Sequence, residues 1–213
     1  METKIIIDYI KRNRVSTTEI ADCLGKSGVL EGVLPLNRGH FRVGKVRYVY
    51  ACDASNWTLH EQLVDVKEGE VVIVDAFDCN NRAVLGELVC KYALLYQQAA
   101  AVVCIAPIRD VPALIRENYA VWSRGVSPVG CFNRKPEHLP DGVMLKERKA
   151  HFEDAVAVCD DCGVVIIPAK EHTEEFYKKM QEMEAQEDIW FNMLDHYGMN
   201  TFEIVCLKKY KEM

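Results

Sequence analysis

Two apolar runs, "EGEVVIVDAF" at 68–77 and "AAVVCIAPI" at 100–108, flank an amphipathic stretch that begins near Glu87. Neither run alternates polar with apolar residues, as a strand with one wet face would, so each reads as a strand covered on both faces. A strand, a helix and a second strand in that order require a crossover, and a crossover gives a parallel pair. The chain is therefore expected to be α/β.

The remaining segments fit around this unit. "VGKVRYVYACD" alternates as a half-buried strand, "NWTLHEQLVDV" follows as a helix, and "YAVWSRG" reads as a further strand. "DAVAVCDDCGVVIIP" reads as two strands around a tight polar turn, a hairpin. Near the N-terminus "STTE" has capping-box spacing, with Ser16 and Glu19 set to satisfy each other's backbone donors and Gly25 as the stop. From Lys170 the sequence is charged and helical to about Asp195, where "YGMN" breaks it. Phe176, Met180, Met183, Ile189 and Met193 form a stripe on that helix that needs a surface to cover it. The expected organisation is an α/β domain over 1–169 and a C-terminal helical extension over 170–213.

Composition narrows the function. A formal net charge of −6 gives no general basic field, so nucleic acid is not the expected partner. No apolar run approaches the roughly 18 residues of a membrane span. Nine cysteines, an odd number scattered through apparent helices and strands, suit a reducing cytoplasm rather than a disulfide framework. Cys159 and Cys162 have Cys-x-x-Cys spacing, but they fall at the hairpin turn without a second pair and read as incidental turn cysteines. The six histidines show no metal-ligand spacing. Nucleophile elbows, phosphate loops and dinucleotide fingerprints are missing.

What stands out is the end of the second strand, Arg109-Asp110, which follows the glycine and acid of "GELV". Ligands of α/β proteins collect beyond the carboxyl ends of the strands, where helix N-termini present free N–H groups. Gly86, Glu87, Leu88 and Val89 could offer such groups to a carboxylate. Arg109 could neutralise a developing oxyanion, and Asp110 could hold a hard cation that keeps its waters. A surface ion pair after a buried strand, with Glu87 as a favourable first-turn acid, explains the same residues, and spacing alone does not choose.

The order "VSTTEIADCLG", "EGEVVIVDA", "GELV", "IRD", "VWSRGVSP", "CGVVIIP" over about 15–170 resembles the RraA-like family. That family contains regulators of ribonuclease E activity and metal-dependent 4-hydroxy-4-methyl-2-oxoglutarate aldolases. The resemblance implies a three-layer β/β/α swivelling-domain fold, assembled as a homotrimer or hexamer. It also implies Mg²⁺ or Mn²⁺ at Asp110, substrate contacts at Gly86 to Val89 and Arg109, and catalytic roles for Arg109 and Glu87. A C-terminal acid of a neighbouring subunit, Glu184 or Glu187, would reach the metal's water shell. The aldolase pattern carries a further acid three residues after Arg-Asp, where this chain has Ala113, and Ala106 and Pro107 also depart from it. The implied activity is that of a carbon–carbon lyase, an aldolase or decarboxylase, on a pyruvate-containing 2-oxo acid. The alternatives are a non-catalytic regulator that binds a ribonuclease or helicase, and a related lyase with an altered substrate.

Overall fold

The computed structural model describes residues 2–212; Met1 and Met213, the outermost residues of the two expected regions, lie outside it. Helices α1 (Thr3–Asn13) and α2 (Thr17–Cys23) precede the short strand β1 (Leu34–Pro35) and the long strand β2 (Arg42–Cys52). Then follow α3 (Trp57–Leu63), β3 (Val71–Phe77), α4 (Glu87–Lys91), β4 (Ala101–Ile108), α5 (Val111–Arg116) and β5 (Val121–Val126). Helix α6 (Gly142–Phe152), the hairpin β6 (Val156–Asp160) and β7 (Gly163–Ile167), and the long helix α7 (Glu174–Tyr197) complete the order.

The strands run β1-β5-β4-β3-β2-β6-β7. As the crossover argument requires, β2, β3, β4 and β5 are mutually parallel. Strand β2 serves two partners: Arg42 to Lys45 pair antiparallel with β6, and Val46 to Cys52 pair parallel with β3. The hairpin thereby swings across the parallel strands, and three apolar layers result.

Alternate residues show how the layers are built, because successive side chains of a strand point to opposite faces. Val72, Val74, Val102 and Cys104 face Leu59, Leu63, Cys90 and Ala93 of the α3/α4 side. Their neighbours Val71, Ile73, Val103 and Ile105 face Ala157, Cys159, Val164 and Ile166 of the hairpin. On the hairpin's other face Val156, Val158, Val165 and Ile167 meet Ile6, Ile10, Ile20, Phe176 and Met180 of α1, α2 and α7. The expected β/β/α sandwich is present, with a helical cover on the outer sheet face. Trp122 ties the two sheet layers, its Nε1–H donating to the Asp160 carbonyl at 2.8 Å.

The capping box forms as expected, with the Glu19 N–H donating to Ser16 Oγ at 3.2 Å and the Ser16 N–H to Glu19 Oε2 at 2.7 Å. Helices α1, α5 and α6 had no assignment from the sequence. Helix α1 carried a readable signal, since Ile6, Tyr9 and Ile10 sit at helical spacing and are its buried residues. The stripe on α7 is covered in part by the same chain. Phe176 and Met180 are buried, whereas Ile189, Phe191, Leu194 and Tyr197 are exposed. Among the described residues no helix is long and apolar enough to cross a membrane.

Candidate functional site

The β3-to-β4 crossover brings its loop back along the end of β4 before the helix starts. The Val84 N–H donates to the Pro107 carbonyl at 3.1 Å and the Arg109 N–H to the Leu85 carbonyl at 3.0 Å, which sets Gly86 beside Arg109 and Asp110. The Glu87 N–H then donates to Asp110 Oδ2 at 3.1 Å. Asp110 itself is left-handed, at φ 61° and ψ 29°, a conformation aspartate tolerates better than most residues. In that pose its carbonyl accepts the Leu114 N–H at 3.1 Å and starts α5. One residue therefore caps two helices, α4 through its carboxylate and α5 through its carbonyl.

Arg109 stays close, with Nε 3.7 Å from Asp110 Oδ2 and both side chains about half exposed. Two glycines make room for the pair. A Cβ on Gly86 would overlap Asp110 Oδ2 and stand 2.9 Å from Arg109 Cγ, and one on Gly130 would stand 2.5 Å from Arg109 Nη1. Gly130 arrives from the loop after β5 through a bridge to Ala83. The result is a cleft of about 100 Å³ whose lining includes Asn56, His60, Gly86, Leu88, Arg109 and Cys131.

Asn56 is the polar group the sequence reading missed. It is 9 % exposed, and its Oδ1 is buried with no hydrogen-bond partner among the described residues. An unpaired buried amide oxygen costs about 1–3 kcal/mol, so a cleft that keeps one is suited to a ligand bearing a donor. Its position could have been suspected only from the loop pairing Ser55 with Phe132, which has no local sequence signature.

The other expected residues divide. The Glu87 carboxylate points away from the Arg109 side, with Oε1 4.0 Å from Arg116 Nη2. Leu88 is 78 % exposed, whereas the Val89 side chain belongs to the core, so only its backbone can serve a ligand. Glu184 accepts a hydrogen bond from the Tyr9 hydroxyl on α1. Glu187 has its carboxyl pushed up by burial and by Glu19 and Asp22 of α2. Neither acid of α7 contacts Asp110 of its own chain among the described residues. Ala113 lies in the first turn of α5, Ala106 is buried in β4, and Pro107 carries a β-bulge between Cys104 and itself.

The Cys-x-x-Cys pair is divided by the hairpin, Cys159 being fully buried and Cys162 exposed. The aspartate between them has the structural work: Asp160 accepts the Thr17 N–H at 2.8 Å, the Thr17 hydroxyl at 2.7 Å and the Cys162 N–H at 2.8 Å. A larger cavity of about 850 Å³ lies between α6 and β2. Several of its charges are already paired, Arg47 with Glu70 at 2.9 Å and Lys45 with Asp154 at 2.6 Å, and it lies away from the carboxyl ends of the parallel strands. The smaller cleft is the one at which strand ends and a helix start converge, the usual ligand position of an α/β sheet.

Residues 17–166 match the RraA-like family model, described as Aldolase/RraA. The chain belongs to the RraA-like family. A relative from Halalkalibacterium halodurans, named "Putative 4-hydroxy-4-methyl-2-oxoglutarate aldolase", is 28 % identical over 189 residues, 85 % of this chain and 86 % of that protein. Among solved structures, an uncharacterized protein of Pseudomonas syringae pv. tomato superposes with a TM-score of 0.69 at 20 % identity, over 94 % of this chain and 96 % of that one. Streptomyces coelicolor RraAS2, described as an unusual member of an RNase inhibitor family, gives 0.61 at 21 % identity, over 83 % and 91 %. At these identities the solved structures establish the RraA-like fold. The RraA-like match covers every residue of the cleft and ends before α7.

Proposed function

We propose that this RraA-like protein is a divalent-metal-dependent carbon–carbon lyase that cleaves or decarboxylates a pyruvate-containing 2-oxo acid. The observation that carries the reading is the Arg109–Asp110 pair, held between Gly86 and Gly130 at the start of α4 and opening on a cleft with an unpartnered Asn56 oxygen.

Among the described residues no three His, Cys, Asp or Glu side chains cluster as a metal cage. The half-exposed Asp110 carboxylate is the donor the cleft offers, which suits Mg²⁺ or Mn²⁺, ions that bind through one or two carboxylates and keep several waters. Asp110 is the carboxylate that would hold the ion, and when bound the ion supplies a Lewis acid for the substrate's keto oxygen. The protein's own groups do the rest. The substrate carboxylate is received by the N–H groups of Leu88 and Val89. Arg109 faces the charge that grows on the oxygen as the carbon–carbon bond breaks, which is where binding accelerates chemistry. Glu87 serves the site through its backbone N–H, which holds Asp110, while its carboxylate stays with Arg116. Asn56 Oδ1 accepts from a hydroxyl of the substrate.

The same reading assigns a cytoplasmic homotrimer or hexamer in which Glu184 or Glu187 of a neighbouring copy completes the metal's water shell. The exposed apolar half of α7 supports an assembly of this kind. The test is pyruvate release from a panel of 2-oxo acids with Mg²⁺ and with a chelator. Metal-dependent release supports the lyase; silence across the panel, with a ribonuclease or helicase binding in its place, supports a regulator.

A further inference from the structure

The cleft carries a second chemistry in its wall. Cys131 is half-buried and faces the cleft beside Arg109, while Cys79 is 6 % exposed in the turn that follows β3. The two segments are stitched together: the Ala83 N–H donates to the Val129 carbonyl at 2.8 Å, and the Cys131 N–H to the Ala83 carbonyl at 2.9 Å. Ala54 joins the two segments from the side, its N–H donating to the Asp78 carbonyl at 3.0 Å and its carbonyl accepting the Phe132 N–H at 2.8 Å. Cys79 and Cys131 thus pack in one apolar layer, with the Cys79 thiol donating to the Phe77 carbonyl at 3.4 Å. Arg82 closes the arrangement, its Nη1–H donating to the Gly130 carbonyl at 3.0 Å. Gly130, the residue before Cys131, is also the surface against which the Arg109 guanidinium lies.

We propose that Cys79 and Cys131 form a reversible dithiol–disulfide couple, that Cys131 is the first to react with a peroxide, and that closing the bond shifts the Gly130 seat of Arg109. Cys131 is the entry point because it reaches the cleft and Cys79 does not. The guanidiniums of Arg82 and Arg109 act on Cys131, whereas Cys79 is buried and keeps its proton on the Phe77 carbonyl. The thiolate is the reactive form, and nearby positive charge favours it at the partner that reaches the cleft.

The chemistry balances with one peroxide. The Cys131 sulfur attacks a peroxide oxygen, the O–O bond breaks, and the departing oxygen takes a proton to leave as water or an alcohol. The sulfenic acid so formed is then attacked by the Cys79 sulfur. The S–O bond breaks, the Cys79 proton leaves with the hydroxide as water, and the S–S bond forms. Two thiols have given two electrons and the peroxide has accepted them. A small dithiol reverses the bond by exchange. The consequence for turnover rests on the lyase reading; the bond and its effect on Arg109 do not.

The test uses the full chain treated with one equivalent of hydrogen peroxide, followed by blocking of free thiols and peptide mass mapping. The expected product is a Cys79–Cys131 peptide pair lighter by two hydrogens and restored by dithiothreitol. In Cys79→Ser the reaction is expected to stop at a sulfenic acid on Cys131 that dimedone captures, with circular dichroism confirming the fold. The Arg109 Nε–Hε NMR signal, assigned through Arg109→Lys, is expected to move on oxidation of the wild-type protein. A peroxide-treated chain whose linkage joins other cysteines, or whose Cys79 and Cys131 stay free while others oxidise, overturns the couple. A correct disulfide that leaves the Arg109 signal in place overturns its link to the site. These readouts need no substrate, so failure of the lyase reading shows separately, as absence of pyruvate release from the reduced protein. Where release is seen, oxidation is expected to reduce it on the order of 10²-fold, the scale of a displaced catalytic group.

Discussion

A side chain on Gly86 would overlap Oδ2 of Asp110, so the two residues share this corner only because one of them has none. Gly86→Ala should displace both Asp110 and Arg109, whose Cγ would lie 2.9 Å from the new methyl. Turnover should fall on the order of 10²-fold, because misplacement by about 1 Å carries that penalty. Gly130→Ala presses on the flexible end of Arg109 and should cost less. Steady-state kinetics beside thermal midpoints separate this from unfolding.

Asp110→Asn keeps a side-chain oxygen for the Glu87 N–H but removes the charge. Binding of Mn²⁺ by calorimetry should weaken sharply while α4 and α5 persist by circular dichroism. Arg109→Ala should leave metal affinity nearly unchanged and lower turnover by about 10²–10³. Equal loss of both properties would instead make Arg109 part of the metal site's scaffold.

A different carboxylate governs stability. Asp75 in β3 is 6 % exposed and accepts from Arg148 Nε at 2.8 Å and from the Tyr48 hydroxyl at 3.0 Å. Arg148→Ala strands that charge and should destabilise the fold by about 3 kcal/mol, the low end for a broken buried pair because Arg148 is itself part exposed. The double change Asp75→Asn with Arg148→Met should recover most of the loss. Urea unfolding of the three proteins gives both numbers.

Alkaline pH should loosen the helical cover first. Burial, and then the Glu184 carboxylate, push the Tyr9 phenol up to about 12. An unfolded tyrosine titrates near 10. The folded state therefore holds that proton more tightly, and the resulting stability is complete below about pH 10 and lost as the pH rises toward 12. Cys23, pushed up to about 11 by burial and by Glu19, adds a loss that begins lower. Tyr9→Phe should flatten the fall in urea midpoint above about pH 10, and an unchanged slope would remove Tyr9 from the account.

The C-terminal arm can be tested by truncation, but not at Lys170. Phe176 and Met180 are fully buried against α1 and the hairpin, so such a cut opens the core. A chain ending after Glu187 keeps them and both candidate acids while removing Ile189, Phe191, Leu194 and Tyr197. Light scattering should show a folded protein of lower oligomeric state. An unchanged mass ratio would show that the arm does not build the assembly.

The parallel strands and the Arg109–Asp110 pair were legible because each has a local cause: an unbroken apolar run, or charges that stop one. The α7 stripe was legible as a pattern but not in its outcome, since its cover comes from α1 and α2, more than a hundred residues away in sequence. Asn56, Gly130 and Cys131 were invisible for the same reason. They reach the cleft through isolated bridges, Ser55 to Phe132 and Ala83 to Gly130, that no periodicity announces. Helix α1 is different, because its spacing was there to be read.

Strand β2 is made early and finished late. Its second half can pair with β3 as soon as residues 71–77 have been synthesised, but Arg42 to Lys45 wait for Val156 to Cys159. During that interval the chain carries an open strand edge, a template for pairing with another copy. Closure across so long a loop is intrinsically slow. The order of synthesis therefore leaves the hairpin as the clasp that fastens the sheet, and a ribosome stalled before residue 156 would display a strand whose first half still lacks its partner.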